Sequence, residues 1–373
     1  MSIGIEASGG RRRGSRSTLR WLAVLTAILA LVAACGGDDD DAASSDTGGD
    51  AAAAEAEPSG SLNLGYFANV THAPAVYAVQ EGLFEEALGD AVDVEYSTYN
   101  SGTEASEAIL SGSIDATFIG PNPAINAYGE SDGAVTLVSG TTSGGASLVV
   151  RDGIDTPEDL DGTTLASPSL GNTQDVALRA WLADEGYETD ESGGGDVSIT
   201  PQENADTLAT FIDGTIDGAW VPEPWATRLV DEGGGHVLQD EAQLWPDGQF
   251  VTTHLLVRTD YLEEHPANVR ALIEGLVDSI DAVNDDPEAA QTTVNDGIEE
   301  ITTARLEDAT ISGAWENLEF TPDPIASSLQ KSTDDAVEVG LLDDVDVSGI
   351  YDLSILNDVL TERGEQEVSG LDA

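Results

Sequence analysis

The sequence predicts an α/β fold made of two doubly wound lobes that are joined by two crossings. Three observations predict it. Strand-like and helix-like segments alternate from residue 61 to about residue 250, which is typical of βαβ units and mainly parallel sheets. One phrase of sequence occurs twice, about a hundred residues apart, as two similar lobes would require. Beyond residue 250 the pattern is mostly helical, and we expect this helix-rich tail to pack on the first lobe.

The repeated phrase reads SGSIDATFIGPNPA over residues 111–124 and DGTIDGAWVPEPWA over residues 213–226. When Gly120 is treated as an insertion, Asn122 and Glu223 occupy equivalent positions. Each copy predicts a helix end, a glycine turn, a short buried strand and a helix start marked by proline. Ligands of open parallel sheets lie beyond the carboxyl ends of the strands. Each copy therefore marks the ligand-binding edge of the sheet in its own lobe.

The first region has clear signals at the ends of its elements. Its strands are predicted at 61–67, 92–96 and 114–119. A helix over 73–82 has Pro74 near its start and Gly82 at its end, as helix termini prefer. A capping box from Ser101 to Glu104 begins the next helix, which ends at about residue 111.

The second region repeats this order. A short helix begins at Thr156, with proline at its first position and acids in its first turn. In this region the strands are predicted at 147–150, 163–166, 197–200 and 216–221, and the longer helices at 173–185 and 204–212. In the tail that follows, one strand is predicted at 250–258 and helices are predicted at 261–282, 287–298, 306–316, 324–339 and 353–363. These patterns predict a first lobe of residues 61–143 plus 252–373 and a second lobe of residues 144–251.

The first 60 residues are typical of export and anchoring rather than of a fold. Five arginines between residues 11 and 20 precede an apolar run over 21–32, and small residues then lead to Cys35. This order predicts a lipoprotein signal peptide over 1–34 and a lipidated N-terminal Cys35, rather than a buried free thiol. The next residues contain no aromatic or branched aliphatic side chain, so 35–60 is predicted to be the lipidated cysteine and a disordered acidic tether. We expect the protein on the outer face of the cell membrane, anchored to it.

The chain is strongly acidic. Thirteen Lys and Arg face 71 Asp and Glu, a formal charge of −58, and removal of the signal with its five arginines and one glutamate would make the charge −62. Nucleic acid is excluded as a partner by such a field. The acidity itself indicates a heavily solvated surface.

Ordered motifs between residues 61 and 280 resemble one family. They are Gly65-Tyr66-Phe67, Thr71 to Pro74, Gly82-Leu83-Phe84, Gly112 to Asp115, Thr156 to Gly162, Ser169 to Gln174 and Gly214 to Trp225. They resemble the ABC-transporter substrate-binding proteins for aliphatic sulfonates, taurine and nitrate, a family that includes binders of thiamine precursors. The resemblance implies a type II periplasmic-binding-protein fold, a small-molecule anion between the lobes, delivery to a membrane permease, a monomer, and no cofactor.

The loop from Ser167 to Gln174 is the candidate anion site. Its small residues can bring free backbone N–H groups to a helix start, where the helix dipole favours an anion. The alternative is that Asn172 or Thr173 only caps the helix; the resemblance favours the anion. The candidates in this loop are Ser169, Gly171, Asn172, Thr173 and Gln174.

Other candidates follow the predicted strand ends. His72 can donate to an oxyanion or be a surface histidine, and Tyr66 can line the cleft or pack at a strand end. Trp225 is a better cleft candidate than Trp220, which lies in an apolar strand. The candidates at the first crossing, which can bind ligand, absorb hinge rotation or form a plain loop, are Thr141 and Ser143.

Asn122 and Glu223 are the candidates at the repeated phrase. Glu223 would repel a sulfonate, so it suits a ligand ammonium, an arginine partner such as Arg228, or a structural role at a helix start, which we favour. A simple sulfonate should contact Asn122 and not Glu223. The cations that can neutralise the ligand are Arg151, Arg179, Arg228 and Arg258.

The predicted function is capture of a small organic oxyanion, first an aliphatic sulfonate, with taurine, nitrate, bicarbonate or a heteroaromatic ligand as alternatives. Catalysis is not expected. The single lysine, Lys331, lies in the helical tail, away from the sheet edges that pyridoxal chemistry would need. The four histidines show no metal-ligand spacing, so no metal site is predicted. A sensory or adhesive lipoprotein is the remaining alternative.

Overall fold

The computed structural model describes residues 57–371. The predicted signal peptide, Cys35 and most of the predicted tether lie outside this range. The strands are β1 (Gly60–Tyr66), β2 (Val92–Thr98), β3 (Ala116–Ile119), β4 (Val135–Gly144), β5 (Ala146–Val150), β6 (Thr164–Ser167), β7 (Ser198–Pro201), β8 (Gly218–Pro222), β9 (His236–Asp240), β10 (Val251–Arg258) and β11 (Leu318–Phe320). They form a six-stranded sheet in the order β11-β4-β10-β3-β1-β2, the base of lobe 1, and a five-stranded sheet in the order β7-β6-β8-β5-β9, the base of lobe 2.

The sheets are mixed, so the expectation of mainly parallel pairing was wrong. Strand β1 is parallel to β2 and β3, and β6 is parallel to β7 and β8. Strand β10 runs antiparallel to β3 and β4, and β5 runs antiparallel to β8 and β9. Parallel pairs need a long crossover connection. Strand β4 instead continues into β5 across Gly145 alone, so the chain passes from one sheet to the other without a crossover helix.

The helices lie close to their predicted positions. They are α1 (Ala73–Glu81), α2 (Leu83–Leu88), α3 (Gly102–Leu110), α4 (Pro121–Glu130), α5 (Thr173–Asp184), α6 (Asn204–Asp213), α7 (Trp225–Asp231), α8 (Thr259–Glu264), α9 (Pro266–Asp285), α10 (Pro287–Thr302), α11 (Asp308–Glu316), α12 (Ala326–Glu338) and α13 (Ser354–Arg363). The helix predicted over 261–282 is two helices, because Pro266 cannot continue α8 and His265 before it leaves helical geometry at φ −132°.

The helical tail packs mainly on lobe 1, as predicted. Leu272 and Leu276 of α9 and Val294 of α10 share one buried core with Leu64 of β1 and Phe84 of α2. Helix α12 lies against both α4 and α5 and so contacts both lobes. Within residues 57–371, no helix is long and apolar enough to cross a membrane. The same residues contain no cluster of His, Cys, Asp and Glu that could hold a metal ion.

The two copies of the repeated phrase build the same structural unit. Asp115 accepts a hydrogen bond from the backbone N–H of Asn63 in the middle of β1, and Asp217 accepts one from the backbone N–H of Thr164 at the start of β6, each at 2.9 Å. Each aspartate also faces an arginine, Arg258 at 3.5 Å in lobe 1 and Arg151 at 3.3 Å in lobe 2. The amino end of the phrase therefore ties neighbouring strands together in each lobe.

Candidate functional site

A cavity of about 40 Å³ lies between the two sheets, and we call it the cleft cavity. It has room for about three water molecules. Its lining residues are Phe67, Asn69, Thr71 and His72 after β1, Asn100, Ser101 and Gly102 after β2, Gly120 and Pro123 after β3, Pro168, Asn172, Thr173 and Gln174 after β6, Asn204 after β7, Pro222 of β8 and Thr252 of β10. The cavity therefore lies at the carboxyl ends of the parallel strands of both lobes, the sheet edge that the repeated phrase predicts.

No residue of this lining carries a formal charge at neutral pH. His72 is buried, and burial lowers its pKa to about 3, so its imidazole is neutral. The ring stacks on Phe67, with 4.5 Å between ring centroids. Its Nδ1 atom has no hydrogen-bond partner among the described residues. A charged ligand in this cavity would meet neutral donors such as amides, hydroxyls, an imidazole and backbone N–H groups.

The start of α5 carries three of the predicted site residues into the cavity: Asn172, Thr173 and Gln174. Asn172 is the N-cap, since its Oδ1 accepts from the backbone N–H of Asp175 at 3.0 Å. The capping role considered as an alternative is therefore present, and Asn172 lines the cavity as well. A helix N-terminus that opens on a polar cavity is a favourable place for an anion.

The loop before α5 is fixed by a buried ion pair. The Asp175 carboxylate accepts hydrogen bonds from the Ser167 hydroxyl at 2.6 Å, from the Gly171 N–H at 2.9 Å and from Arg179 Nε at 3.0 Å. Asp175 is fully buried and Arg179 is 2% exposed. Gly171 was predicted as a ligand residue; in the structure its N–H is donated to Asp175, and the residue does not line the cleft cavity.

The four arginines that could have neutralised a ligand are all paired with carboxylates. Arg151 contacts Asp217, Arg179 contacts Asp175, Arg228 contacts Glu232, and Arg258 contacts Asp115 and Asp260. None of these arginines lines the cleft cavity. Within residues 57–371 the lining of this cavity therefore offers no cation to an anionic ligand.

Asn122 and Glu223 both lie outside the cleft cavity. Asn122 is 2% exposed, and its Nδ2 donates to the Ser332 carbonyl of α12 at 3.0 Å. Glu223 is 1% exposed and accepts from the Thr227 N–H at 3.1 Å, the Thr227 hydroxyl at 3.0 Å and Asn317 Nδ2 at 2.7 Å. Burial raises the pKa of Glu223, against the effect of these donors. Asn122 therefore does not line this cavity, and its contact with ligand stays a prediction. Glu223 has the structural surroundings that we favoured.

Three further predicted site residues are buried elsewhere. Thr141 and Ser143 lie in β4, which pairs with β10 and β11 on its two sides, so residues 141–143 are a buried strand rather than a loop. Tyr66 is 5% exposed and packs edge-on against Tyr96, with ring centroids 6.2 Å apart. None of the three lines the cleft cavity.

Two predicted residues join the lobes beside the cavity. Trp225 of lobe 2 donates its indole N–H to Asn69 Oδ1 of lobe 1 at 3.0 Å. The hydroxyls of Ser169 and Thr103 lie 3.4 Å apart, again one from each lobe. Gly120 also allows close approach, because a β-carbon there would lie 2.6 Å from Thr173 Oγ1. These contacts hold the two lobes together around the cavity.

Three asparagines of the cavity wall were not predicted from the sequence: Asn69, Asn100 and Asn204. Each lies two or three residues beyond a strand, after β1, β2 and β7. That position was a usable signal, since an amide just beyond the carboxyl end of a parallel strand points toward the ligand edge of a sheet.

Solved structures with this architecture include three that cover most of the chain. The alkanesulfonate-binding protein of Xanthomonas axonopodis, bound to MOPS, has a TM-score of 0.65 at 20% identity and covers 78% of this chain and 96% of its own. The aliphatic sulphonate-binding protein of Escherichia coli has a TM-score of 0.61 at 20% identity, covering 79% and 96%. The nitrate-binding protein of Synechocystis has a TM-score of 0.65 at 18% identity, covering 81% and 88%. Fold and cleft together define a type II periplasmic-binding-protein fold.

The family follows from the sequence. The model of the NMT1-like family matches residues 55–295, more than half of the chain, so the chain belongs to that family. The taurine-binding periplasmic protein of Escherichia coli is 30% identical over 207 residues, 55% of this chain and 62% of that protein. A bicarbonate-binding protein of Synechococcus elongatus is 29% identical over 106 residues, 28% of this chain and 22% of that protein. The chain thus matches less than two thirds of the length of these relatives. Both are named as binding proteins, in agreement with the expectation of no catalytic function.

Proposed function

We propose that the protein is the extracytoplasmic solute-binding component of an ABC importer and captures a small organic oxyanion, an aliphatic sulfonate, between its two lobes. The observation that carries the proposal is the start of α5, where Asn172, Thr173 and Gln174 face an uncharged polar cavity. Membership of the NMT1-like family and likeness to alkanesulfonate-binding proteins support it.

Neutral donors suffice for this task. A hydrogen bond to a charged group contributes about 1.5–3 kcal/mol, so the α5 terminus, the His72 imidazole and the surrounding amides can together hold a sulfonate without an arginine. A buried arginine would add a large desolvation cost of its own. The acidic surface opposes capture only weakly, because salt screens charges over about 8 Å in physiological solution.

Nitrate or bicarbonate is the second candidate. The specific observation in its favour is the small volume of the cleft cavity, about 40 Å³. Relatives named for bicarbonate and nitrate binding agree with it. Either ion would use the same donors at α5.

The remaining features of the proposal concern the ends of the chain and its partners. Residues 1–34 act as the signal peptide, and Cys35 carries the lipid that anchors the protein to the outer face of the cell membrane. A membrane permease receives the ligand, and the protein works as a monomer. We keep 61–143 plus 252–373 and 144–251 as the two lobes. Labelling of cells with a radioactive fatty acid tests the anchor: the label should enter the protein and be absent from Cys35→Ala.

Calorimetry of the purified protein tests the ligand class. The panel is an alkanesulfonate, taurine, nitrate, bicarbonate and a pyrimidine, in Tris buffer because buffers such as MOPS are themselves sulfonates. We expect the sulfonates to bind more tightly than nitrate or bicarbonate. If no anion binds and the pyrimidine does, the oxyanion proposal is wrong.

A further inference from the structure

One ion pair of α5, the helix that carries the candidate anion site, is buried far more deeply than the rest. Asp175 and Arg179 lie one turn apart, with Arg179 Nε 3.0 Å from the carboxylate, and their side chains are 0% and 2% exposed. In every other ion pair within residues 57–371, both side chains are at least 12% exposed. The depth of this pair calls for a physical reason.

Stability alone does not explain the pair. Removing two charges from water costs so much that apolar side chains of similar volume are often as stabilising. The guanidinium is also incompletely paired: Nη1 donates to the Asp190 carbonyl at 2.6 Å, but Nη2 is buried without a partner in the described part of the chain. A pair kept for stability is expected to satisfy every donor. The position of the pair in the fold indicates a second role.

The Asp175 carboxylate lies in the first turn of α5, beside residues that line the cleft cavity. Its backbone N–H donates to Asn172, and Gln174 precedes it; both of these residues line the cavity. The carboxylate also holds the preceding loop, because it accepts from Ser167 and Gly171. A negative charge at this position would repel a bound anion, since the protein interior screens charges poorly.

The donors that α5 offers to a ligand are the backbone N–H groups of Thr173 and Gln174. The first N–H groups of a helix have no partner inside it, and neither of these two donates to another residue of 57–371. The helix dipole adds about half a positive charge at this end. An acid in the first turn competes with a bound anion for that charge, so the Asp175 carboxylate has to be cancelled before the dipole can serve a ligand.

We propose that Arg179 is a positioning residue for the anion: it cancels the Asp175 charge and leaves the dipole of α5 to face the cleft cavity. Attraction to the dipole grows in proportion to the charge of the ligand, whereas the cost of removing the ligand from water grows with the square of its charge. The neutral pair therefore makes the site favour one negative charge over two. This inference rests on the proposed function, because it places an anion at the start of α5. It gives a role in recognition to an arginine that does not line the cavity.

Two substitutions change the charge of the site in opposite directions. Asp175→Asn leaves Arg179 positive, and Arg179→Met leaves Asp175 negative. By calorimetry in Tris buffer, Asp175→Asn should bind methanesulfonate about tenfold more tightly than the unmodified protein, and Arg179→Met about tenfold more weakly, since a unit charge several ångströms away acts on the anion in each case. Weaker binding by both variants would mean that the pair is only a structural brace and would overturn the proposal.

Sulfate provides a measure that loosening of the loop does not affect. A loosened loop should weaken both ligands by the same factor, whereas a change of site charge acts about twice as strongly on the free energy of binding a dianion. We expect the unmodified protein to bind sulfate about hundredfold more weakly than methanesulfonate, and Asp175→Asn to narrow this gap about tenfold. A gap of the same size in both proteins would contradict the assignment of charge selection to the pair.

The double variant Asp175→Asn with Arg179→Met tests the proposal without an unpaired buried charge. Loss of one partner of a buried pair is strongly destabilising, so a single variant can fail to fold where the neutral double variant folds. Because its site charge equals that of the unmodified protein, the double variant should bind methanesulfonate within about threefold and still disfavour sulfate. A folded double variant that binds methanesulfonate about tenfold or more weakly would show that the site needs the ion pair itself and not its zero net charge.

Arg151 and Asp217 supply the matched control in the same lobe. They pair at 3.3 Å at the sheet edge away from the cleft cavity. Asp217→Asn and Arg151→Met change the charge of lobe 2 by the same units, yet should leave the affinities for methanesulfonate and sulfate within about twofold, because solvent and salt screen this edge. Shifts as large as those of the Asp175 and Arg179 variants would mean that the overall charge of the lobe, and not the buried pair, governs binding.

The two proposals fail differently. If the unmodified protein binds neither methanesulfonate nor another anion of the calorimetry panel, the proposed function is wrong. If it binds methanesulfonate, and Asp175→Asn and Arg179→Met leave the preference for methanesulfonate over sulfate unchanged, only the inference about the pair is wrong. Circular dichroism on heating checks that each variant is fully folded at the temperature of the calorimetry.

Discussion

The two copies of the repeated phrase are alike where their strands begin and different where their strands end. At the amino ends, Asp115 and Asp217 make matching hydrogen bonds and face matching arginines. At the carboxyl ends, Asn122 donates a hydrogen bond to the Ser332 carbonyl of α12. Glu223 instead accepts a hydrogen bond from Asn317, which belongs to the lobe 1 part of the chain. The amino end of the phrase is therefore scaffold in both copies, and the carboxyl end has diverged, since of these two contacts only that of Glu223 joins the two lobes.

A second difference lies inside the strands. Phe118 of lobe 1 stacks on Phe84, with 6.1 Å between ring centroids. Its counterpart Trp220 donates its indole N–H to Glu241 at 2.7 Å, and Trp245 donates to the other carboxylate oxygen at 3.4 Å. Lobe 2 therefore has a buried carboxylate beside this strand, where lobe 1 has an apolar contact. We expect the stability of lobe 2, unlike that of lobe 1, to depend on indole hydrogen-bond donors.

The largest expected effect comes from a substitution that removes this difference between the lobes. Trp220→Phe makes lobe 2 resemble lobe 1 and leaves the buried Glu241 without its shorter hydrogen bond. We expect the free energy of unfolding at pH 8 to fall by about 3 kcal/mol, because a buried charged group loses a donor. Urea unfolding followed by circular dichroism measures it.

The control for Trp220→Phe is the same change in a Glu241→Leu background. With the carboxylate gone, the loss should shrink to about 1 kcal/mol, the cost of altered packing alone. Equal losses in the two backgrounds would show that the indole N–H does not support Glu241.

The next effect is a pH dependence of lobe 2. Burial raises the pKa of Glu241 to about 7, and the carboxylates of Asp240 and Asp335 raise it further against the two indole donors. The unfolded carboxyl titrates near 4.3. A raised carboxyl pKa means that the folded state holds the proton more tightly, so this contribution to stability is full below about pH 4 and is lost as pH rises through 7.

Urea unfolding at a series of pH values checks this dependence. Between pH 5 and pH 8 the unmodified protein should lose about 2–3 kcal/mol relative to Glu241→Gln, which cannot ionise. Parallel pH profiles for the two proteins would contradict the assignment to Glu241.

A smaller effect concerns Gly120, the residue that the second copy of the phrase lacks. It lies where the start of α5 passes over lobe 1, and a β-carbon there would approach Thr173 Oγ1 to 2.6 Å. Gly120→Ala should therefore hinder approach of the lobes and weaken ligand binding about tenfold, about 1.4 kcal/mol. Stability should change little, since φ −72° at this residue suits alanine. Calorimetry with methanesulfonate measures the effect.

Thr173→Ala supplies the matched control for Gly120. The Thr173 β-carbon would lie 3.7 Å from the added β-carbon, an ordinary contact. The double variant Gly120→Ala with Thr173→Ala should therefore bind as Thr173→Ala alone does. An additive loss in the double variant would place the effect of Gly120 elsewhere.

Local sequence signals predicted most elements and the start of α5, because caps, prolines and strand periodicity act within a few residues. They failed where a distant partner decides. The run of threonine, serine and glycine over 141–145 resembles a loop, yet pairing with β10 and β11 makes residues 141–144 part of a buried strand. Asn122 finds its partner 210 residues away and Glu223 finds Asn317 94 residues away. Their positions at a sheet edge were predictable, but the direction of their side chains was not.

The smallest expected effect is the difference in stability loss, about 1 kcal/mol, between variants of the two aspartates at the amino ends of the phrase. Asp115 has a side chain 12% exposed and accepts from both the backbone N–H and Nδ2 of Asn63. Asp217 is 35% exposed and accepts from one backbone N–H. Asp115→Ala should cost about 2 kcal/mol of unfolding free energy and Asp217→Ala about 1 kcal/mol, because the more buried carboxylate satisfies more donors.

Ligand binding provides the second readout for these two variants. Both aspartates lie at the amino ends of their strands, at the sheet edge away from the cleft cavity, so calorimetry with methanesulfonate should give affinities within about twofold of the unmodified protein. A larger cost for Asp217→Ala than for Asp115→Ala would mean that exposure does not govern the strength of these contacts. A loss of affinity in either variant, with folding intact, would mean that the amino end of the phrase affects ligand binding in the cleft as well as stability.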